Sequence, residues 1–439
     1  MEKNSKIYQA YLAILKAELI PAMGCTEPIA LAYCASIARD TLGVTPKKVI
    51  VGASGSIIKN VKSVIVPNTG HMKGIEAACA AGIVAGKADK KLEVLADINE
   101  KEEVPKISKF LKEVPIEVNL INYGELFDCT VRVESDDDYA LVRIAKYHTN
   151  VVLIEKNNKI IQGKSIENSL KDIEKDESNA NSTVIDDYKK LLNIHYIIDF
   201  ADNVDINDIE DTIGKQIEYN YAIAKEGINN NYGSNIGKII LKQNPGNENA
   251  KLKAMAAAGS DARMNGCEMP VIINSGSGNQ GITVSVPIIQ YAKDNNIDDD
   301  LLYRALVVSN LISIHEKTPI GTLSAFCGAV SAGAGAGAGL AYIKGGRLGE
   351  ICETIQNALG IVSGIVCDGA KASCAGKIAA SVDAGILGYE MYKTNNSFVA
   401  GDGIIKGCVE KTIASVGKIA REGMKTTNDE IINIMINNK

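Results

Sequence analysis

The spacing of hydrophobic and polar residues divides the chain into two regions. Between about 91 and 162, hydrophobic and polar residues alternate over short runs, as in half-buried β-strands, with a helical stretch near 100–112. From about 185 onward, hydrophobic residues recur every three or four positions in runs of helical length. The pattern predicts an α+β protein: a mixed α/β region at 1–200 with a strand-rich subdomain at about 91–162, then a largely helical region at 201–439.

Shorter segments of the N-terminal region have predictions of their own. Residues 5–41 are predicted helical with a break at 21–28, residues 48–66 strand and turn, and residues 71–87 a helix of small residues. The segment KLEVLADI at 91–98 is predicted to be the first strand of the alternating series. The polar, low-complexity segment 163–183 predicts a linker.

One hydrophobic run is long enough to cross a membrane. Residues 318–343 carry no charge, but 13 of these 26 residues are Gly or Ala. Such small residues contribute little transfer free energy to membrane insertion. The run therefore predicts a buried helix whose glycines let other helices, or a bound cluster, approach closely.

Composition narrows the functional classes. A chain of 439 residues with 46% hydrophobic residues predicts two or three globular domains. The net charge of −6 argues against a nucleic-acid-binding protein, which usually has a basic face. The N-terminal segment lacks the unbroken apolar core of a signal peptide, so we expect a cytoplasmic protein whose ten cysteines are reduced. A homodimer is the default expectation, and no membrane partner is expected.

The most informative residues are three cysteines in Gly/Ala-rich surroundings, namely Cys327, Cys367 and Cys374. Three thiolates can hold three irons of a 4Fe–4S cube and leave the fourth iron open as a Lewis acid. That arrangement points to a lyase of the dehydratase type, and an open iron is expected to be oxygen-sensitive. The spacing matches neither a ferredoxin nor a zinc ribbon, so ordinary buried thiols remain the alternative.

A second candidate is the polar turn SGSGNQGI at 275–282, which follows an apolar run. Its backbone N–H groups and side chains could hold a carboxylate or a phosphate at the start of a helix. The candidate binding residues are Ser275, Ser277, Asn279 and Gln280. The alternative is a plain strand-to-helix turn, because the segment has neither a Walker nor a dinucleotide-binding pattern.

Two further candidates lie near the N-terminus. In MGCTEP, Cys25 is predicted at a helix N-terminus, where the helix dipole stabilises a thiolate that can act as ligand, nucleophile or base. An inert cysteine beside a capped helix is the alternative. In PNTGHMKG, His71 is predicted at a helix start and could bind a carboxylate or pass a proton. The polar residues Ser54, Ser56 and Asn60 precede it.

Together these motifs resemble the L-cysteine desulfidase family over almost the whole chain. The resemblance lies in MGCTEP, in SGSGNQGI and in AFCGAV with the later VCDGAK and third cysteine. The C-terminal half is also similar to the α domain of iron–sulfur L-serine dehydratases. The segment PNTGHMKG is similar to the histidine-bearing TGKGH-type segment of those enzymes, although the lysine and second glycine are missing before His71.

The resemblance implies a reaction that needs no pyridoxal phosphate. L-Cysteine and water would give hydrogen sulfide, ammonia and pyruvate by α,β-elimination through 2-aminoacrylate, with the substrate sulfur on the open iron. The resemblance implies that Cys327, Cys367 and Cys374 bind a 4Fe–4S cluster in the helical region. It leaves Cys25 as either the base for the α-proton or a group that caps the open iron.

L-Cysteine is expected to bind with its carboxylate in the polar turn that contains Ser275, Ser277, Asn279 and Gln280, with help from Ser54, Ser56, Asn60 or His71. Three other functions remain open at this point. One is an iron–sulfur L-serine dehydratase, in which the leaving atom is oxygen. Another is a non-catalytic iron–sulfur or thiol sensor. The third is a small-molecule-binding protein that uses the polar turn and no metal.

Overall fold

The computed structural model describes residues 1–23, 26–125, 127–146, 148–168, 184–321 and 324–437. The helices are α1 (Lys6–Glu18), α2 (Thr26–Leu42), α3 (Gly55–Val61), α4 (Gly74–Ala85), α5 (Glu100–Glu113), α6 (Val184–Lys189), α7 (Ile194–Asn203), α8 (Ile206–Asn229), α9 (Ile236–Gln243), α10 (Glu248–Met264), α11 (Gly278–Asp294), α12 (Asp299–Lys317), α13 (Gly328–Ile343), α14 (Leu348–Val362), α15 (Cys374–Lys393), α16 (Val409–Lys418) and α17 (Lys425–Asn437). The strands are β1 (Pro21–Met23), β2 (Lys48–Ala53), β3 (Ile116–Leu120), β4 (Asp128–Glu134), β5 (Tyr139–Ala145), β6 (Val151–Lys156), β7 (Lys159–Gly163) and β8 (Pro270–Ile272). The fold is therefore α+β, with a mixed N-terminal half and a helical C-terminal half, as the sequence predicts.

By their contacts, the described residues pack into two units. The helical unit consists of described residues within 1–23, 182–367 and 372–428, and the sheet unit of those within 24–181, 368–371 and 429–439. Residues 1–23 and 184–200, which the sequence pattern groups with the strand-rich region, pack in the helical unit.

The sheet unit is built on a six-stranded sheet in the order β3-β2-β4-β5-β6-β7. Strands β2 and β3 are parallel, and every other neighbouring pair is antiparallel. Alternate residues of the central strands are buried, including Val49, Val51, Val131 and Val133, because they face α2 and α4 across a shared core. The predicted strand-rich subdomain is thus present, and β2 joins it between β3 and β4.

The prediction of a strand at 91–98 is wrong. This segment instead continues a 3-10 turn at Ala88–Glu93 and ends in further turns. Lys91 has a φ of 51°, which interrupts any extended backbone, and the successive residues Val94 and Leu95 are both buried. A strand with one buried face would bury only one of two neighbours. Short apolar runs of this kind suit a packed turn as well as a strand.

Helix α13 lies in the core of the helical unit. All of its residues from Ala329 to Ile343 are buried. A Cβ at Gly337 would lie 2.7 Å from the Cα of Gly385 on α15, and a Cβ at Gly335 would lie 2.7 Å from the carbonyl oxygen of Ser309 on α12. The glycines therefore let neighbouring backbones approach closely, as the uncharged run predicts. Within the described residues, no helix has both the length and the hydropathy of a membrane span.

Helices α11, α13 and α15 point in the same direction. Two pairs of contacts fix this for each neighbour of α13: Gly333 with Ser381 and Gly337 with Gly385 for α15, and Gly328 with Gln280 and Gly339 with Ile288 for α11. Because residue numbers rise together along each pair, the N-terminal ends of all three helices lie at one end of the helical unit. The strand β8, paired with β1, leads into this end just before α11 begins.

Candidate active site

Two short backbone segments bring Cys327 next to Cys367. The Cys327 N–H donates to the carbonyl of Ile365 at 3.0 Å, and the Cys367 N–H donates to the carbonyl of Ala325 at 2.6 Å. An antiparallel bridge between the intervening residues completes this pairing. Cys374 then begins helix α15, seven residues after Cys367. Cys327 and Cys367, which are 40 residues apart in the sequence, therefore lie next to each other at this end of the helical unit.

The three thiols influence one another. The hydrogen bond with the Cys367 side chain, together with burial, raises the pKa of Cys327, and the charge that Cys367 or Cys374 would carry raises it further. Cys327 is 9% exposed, whereas Cys367 and Cys374 are only partly buried. Without a bound cation, the pKa shift keeps Cys327 protonated, so metal binding there must displace a proton.

Helix ends favour negative charge at the same place. Cys327 is the N-cap residue of α13, Cys374 is the first residue of α15, and α11 begins nearby at Gly278. The unpaired N–H groups of a helix N-terminus carry a partial positive charge that stabilises anions. This end of the unit therefore suits thiolates and a substrate carboxylate.

The donor set fits an iron–sulfur cluster better than a single metal ion. Among the described residues, no group of three or more His, Cys, Asp or Glu side chains is arranged to hold a metal ion. In an iron–sulfur cube the thiolates bind different irons, so they need not converge on one point. Three thiols without a histidine or carboxylate ligand are the soft donors that such clusters take.

The polar turn before α11 is held by a buried amide network. Asn274 is fully buried; its Nδ2 donates to Asn310 Oδ1 at 3.0 Å, and its Oδ1 accepts from Ser313 Oγ at 3.2 Å. Ser275 has a φ of 49° and Gly276 a φ of 75°, the left-handed pair that a two-residue turn requires. Backbone hydrogen bonds between Asn274 and Ser277 close this turn. The turn is therefore rigid before any ligand binds.

The four predicted residues of the turn have different local roles. Ser275 Oγ donates to Asn274 Oδ1 at 3.0 Å, and Ser277 Oγ caps α11 by accepting from the Gln280 N–H at 3.4 Å. Asn279 Oδ1 accepts from Arg263 at 3.4 Å. Gln280 lies against the start of α13, where a Cβ at Gly328 would be 2.5 Å from its Cδ. Of these four residues, Gln280 is the one that contacts Gly328, the residue directly after Cys327.

Comparison with known proteins places the chain in a family. The profile of the family described as serine dehydratase alpha chain matches residues 89–433. This chain belongs to the serine dehydratase alpha chain family. Enzymes of this family are iron–sulfur lyases of the dehydratase type, which supports an iron–sulfur cofactor and lyase chemistry here. The match includes the three cysteines and the polar turn but begins after His71.

Similar proteins extend over the whole chain. The UPF0597 protein DSY1109 of Desulfitobacterium hafniense (strain Y51) is 55% identical over 437 residues, covering 100% of this chain and 99% of the relative. A UPF0597 protein of Lachnoclostridium phytofermentans is 47% identical over 431 residues, covering 98% and 100%. One of Treponema denticola is 44% identical over 441 residues, covering 99% and 100%. Their names specify no substrate, so the family sets the chemistry only at the level of an iron–sulfur lyase.

The candidate binding residues near the N-terminus, namely Ser54, Ser56, Asn60 and His71, belong to the sheet unit. Ser54 and Ser56 are buried at the start of α3, and the amide of Asn60 donates to Glu27 at 3.1 Å. His71 is exposed, with a φ of 68°, in the turn three residues before α4 rather than in the helix itself. The part of these four residues in substrate binding stays a prediction. Cys25 lies outside the described residues.

Three further polar residues of the helical unit were not predicted from the sequence. Arg263, the penultimate residue of α10, lies beside the polar turn, where a Cβ at Gly278 would be 2.7 Å from its Cζ. Glu316 on α12 and Ser331 on α13 are both buried in the helical unit. No sequence signal marks them, because Glu316 sits in an ordinary helical pattern and Ser331 in a run of small residues.

Proposed function

We propose that this chain is an iron–sulfur-dependent L-cysteine desulfidase. L-Cysteine would lose its α-proton and its sulfur to give 2-aminoacrylate, which tautomerises and reacts with water to give pyruvate and ammonia. The main observation in favour is the trio of cysteines at the N-terminal ends of α13 and α15, beside a rigid polar turn. The lyase chemistry of the family supports the same reaction class.

In this proposal, some residues of the helical unit would hold the cluster and others would orient the substrate. Cys327, Cys367 and Cys374 would hold a 4Fe–4S cluster through three of its irons. When bound, the cluster would supply a Lewis-acidic iron that favours departure of the substrate's sulfur. The start of α11, with Ser277, Asn279 and Gln280, would orient the substrate carboxylate through N–H groups and side-chain amides.

Cys25 is the proposed base for the α-proton, with capping of the open iron as the alternative role. Replacing Cys25 with Ala separates the two. If Cys25 is the base, the Cys25→Ala protein keeps its iron and its visible absorption but loses sulfide release. Sulfide release at the wild-type rate would contradict the assignment, and a changed spectrum of the resting protein would favour the capping role.

L-Serine dehydration is a second candidate, since the matched family is that of serine dehydratases. The two functions differ in the leaving atom, because hydroxide must be protonated as it leaves whereas sulfide leaves readily. We expect anaerobically reconstituted protein to release pyruvate and sulfide from L-cysteine and much less pyruvate from L-serine. A preference for L-serine, measured as kcat/KM for pyruvate formation from each amino acid, would assign the chain to dehydration instead.

A further inference from the structure

Six side chains of the helical unit carry buried oxygen atoms without a hydrogen-bond partner among the described residues: Ser260, Asp261, Gln280, Glu316, Ser331 and Ser363. Three of these lie on α11, α13 and α12, and their unpaired atoms are Gln280 Oε1, Ser331 Oγ and both carboxyl oxygens of Glu316. These residues are 7%, 0% and 2% exposed, respectively. An unpaired buried polar atom costs about 1–3 kcal/mol, and more when the group is charged. Such atoms need an explanation when they occur close together.

Helix packing brings the three side chains together. A Cβ at Gly335 would lie 3.2 Å from Ser313 Cβ, and a Cβ at Gly339 would lie 2.9 Å from Ser309 Cβ, so α12 and α13 run in opposite directions. On α12, Glu316 lies about one turn after Ser313 on the same face. On α13, Ser331 lies about one turn before Gly335 on the same face. These two residues therefore lie at the same level of the helix pair.

Gln280 joins them from a third helix. Its amide packs against Gly328, which is one turn before Ser331 on α13 and directly follows Cys327. The unpaired oxygens are thus distributed around the first turns of α13. One helical turn rises about 5.4 Å, so Ser331 lies little more than one turn along α13 from the cysteine ligand.

Glu316 also differs from the other buried carboxyl groups, because neither of its carboxyl oxygens has a hydrogen-bond partner among the described residues. Asp128 pairs with Arg143 at 2.7 Å, and Asp261 accepts the N–H of Gly237 at 3.3 Å through one of its two oxygens. The partly exposed Glu410 pairs with His315 at 2.6 Å. Burial, and then the negative charge of Glu410, raise the pKa of Glu316 well above its usual value. A cationic hydrogen-bond donor would satisfy both its charge and its oxygens.

We propose that Glu316, with Ser331 and Gln280, binds the α-ammonium group of the substrate, an inference that rests on the proposed amino-acid substrate. An ammonium group offers three N–H donors, and the three side chains offer a carboxylate, a hydroxyl and an amide oxygen. The ammonium and the leaving group sit on adjacent carbons of the substrate. An ammonium site close to Cys327 therefore matches a leaving group at the cysteine trio.

The test compares two ligands that differ only in the ammonium group. α-Methyl-L-cysteine cannot be consumed because it has no α-proton, and 3-mercapto-2-methylpropanoate has a hydrogen in place of the ammonium. Calorimetry on anaerobically reconstituted protein gives the dissociation constant of each. We expect Glu316→Gln to weaken binding of α-methyl-L-cysteine by about 10- to 100-fold and to leave binding of the deaminated ligand nearly unchanged.

Glu410→Gln is the matched control, since it removes a partly buried carboxylate whose charge acts on Glu316, and it should not change the ratio of the two dissociation constants. Ser331→Ala should shift that ratio in the same direction as Glu316→Gln but less, and it decides the matter if Glu316→Gln does not fold. An unchanged ratio in the folded variants would overturn the ammonium site alone. A wild-type protein that neither binds α-methyl-L-cysteine nor converts L-cysteine or L-serine would instead overturn the proposed function.

Discussion

At the level of single residues, the helical unit treats two of its glutamates differently. Glu410, whose side chain is partly exposed, lies with its Oε2 2.6 Å from His315 Nε2, and its Oε1 accepts the N–H of Ile194 at 2.9 Å. Burial, the largest single influence, would raise the pKa of Glu410, but the hydrogen bond and charge of His315 and the N–H of Ile194 together outweigh it, and the net effect lowers the pKa. Among the described residues, no group is hydrogen-bonded to the carboxyl oxygens of Glu316, one residue after His315. We infer that Glu410 serves stability and Glu316 serves binding.

Glu410→Gln should therefore reduce stability in a pH-dependent way. A carboxylate whose pKa is lower in the folded state stabilises the protein above its unfolded pKa, and this contribution is lost as the pH falls through the folded pKa. We expect a loss of about 1 kcal/mol in the free energy of unfolding at neutral pH, after allowing for solvent screening, and a progressively smaller loss at acidic pH as the lowered folded pKa is approached and passed. Urea denaturation at neutral and at acidic pH measures it.

The exposed Glu422 provides the control for this prediction, because its contact with Arg421 is 3.9 Å long and both side chains are exposed. Glu422→Gln should change the free energy of unfolding little at either pH. An equal effect of Glu410→Gln at neutral and acidic pH would show that lost packing, not the ion pair, is responsible.

At the level of residues, the sequence singles out side chains with rare chemistry and overlooks those with common chemistry. Cys327, Cys367 and Cys374 stand out because thiols in uncharged, glycine-rich surroundings have few uses. Glu316 does not stand out, since acidic residues normally occur on exposed helix faces and only the packing shows that this one is buried. Its carboxyl oxygens have no hydrogen-bond partner among the described residues, and this depends on how three helices pack together.

At the level of elements, α13 has glycine where its neighbours pass closest. A Cβ at Gly337 would lie 2.7 Å from both the Cα and the carbonyl oxygen of Gly385, and a backbone cannot move aside as a flexible side chain can. The sequence predicts a small-residue helix here. It does not predict which neighbours each glycine contacts, because that depends on how three helices are oriented around α13.

Gly337→Ala should lower stability although Ala is the better helix former. Overpacking costs about 1–3 kcal/mol, which exceeds the gain of roughly 1 kcal/mol in helix propensity. The control is Gly349→Ala on α14, where the nearest atom to a new Cβ is 3.9 Å away. That substitution should raise the free energy of unfolding slightly. Thermal or urea denaturation of both variants measures the difference, and a stabilised Gly337→Ala protein would contradict the packing argument.

At the level of the whole molecule, the sequence predicts the fold class and the relationship to iron–sulfur serine dehydratases, but it does not predict how the described residues group into packing units. Alternating hydrophobic residues predict the strands of the N-terminal half, and hydrophobic residues at helical spacing predict the helices of the C-terminal half. Each pattern reflects which face of a single element is buried. The division into units depends on long-range contacts, and it groups residues 1–23 with helices more than 150 residues later. Periodicity carries no information about such contacts.

Removal of one cluster ligand should cause loss of the cofactor without unfolding the protein. We expect Cys327→Ser to lose most of its iron and visible absorption while keeping the far-ultraviolet circular dichroism of the wild type, since the helices pack through Gly and Ala rather than through the cluster. Cys352→Ser, which changes a partly buried thiol on α14 outside the trio, should keep both. Retention of full iron content by Cys327→Ser would contradict its assignment as a ligand.

The close contact of α13 with α12 and α15 has a consequence for how the enzyme would be assembled in the cell. Helices that touch backbone to backbone cannot slide or rotate past each other without a clash, so the end at which Cys327 and Cys374 meet is fixed by polypeptide alone. Maturation would then be insertion of a preformed inorganic centre into a finished scaffold, unlike zinc fingers, whose folding waits for the metal. Damaged copies could accordingly be repaired and reused without resynthesis of the chain.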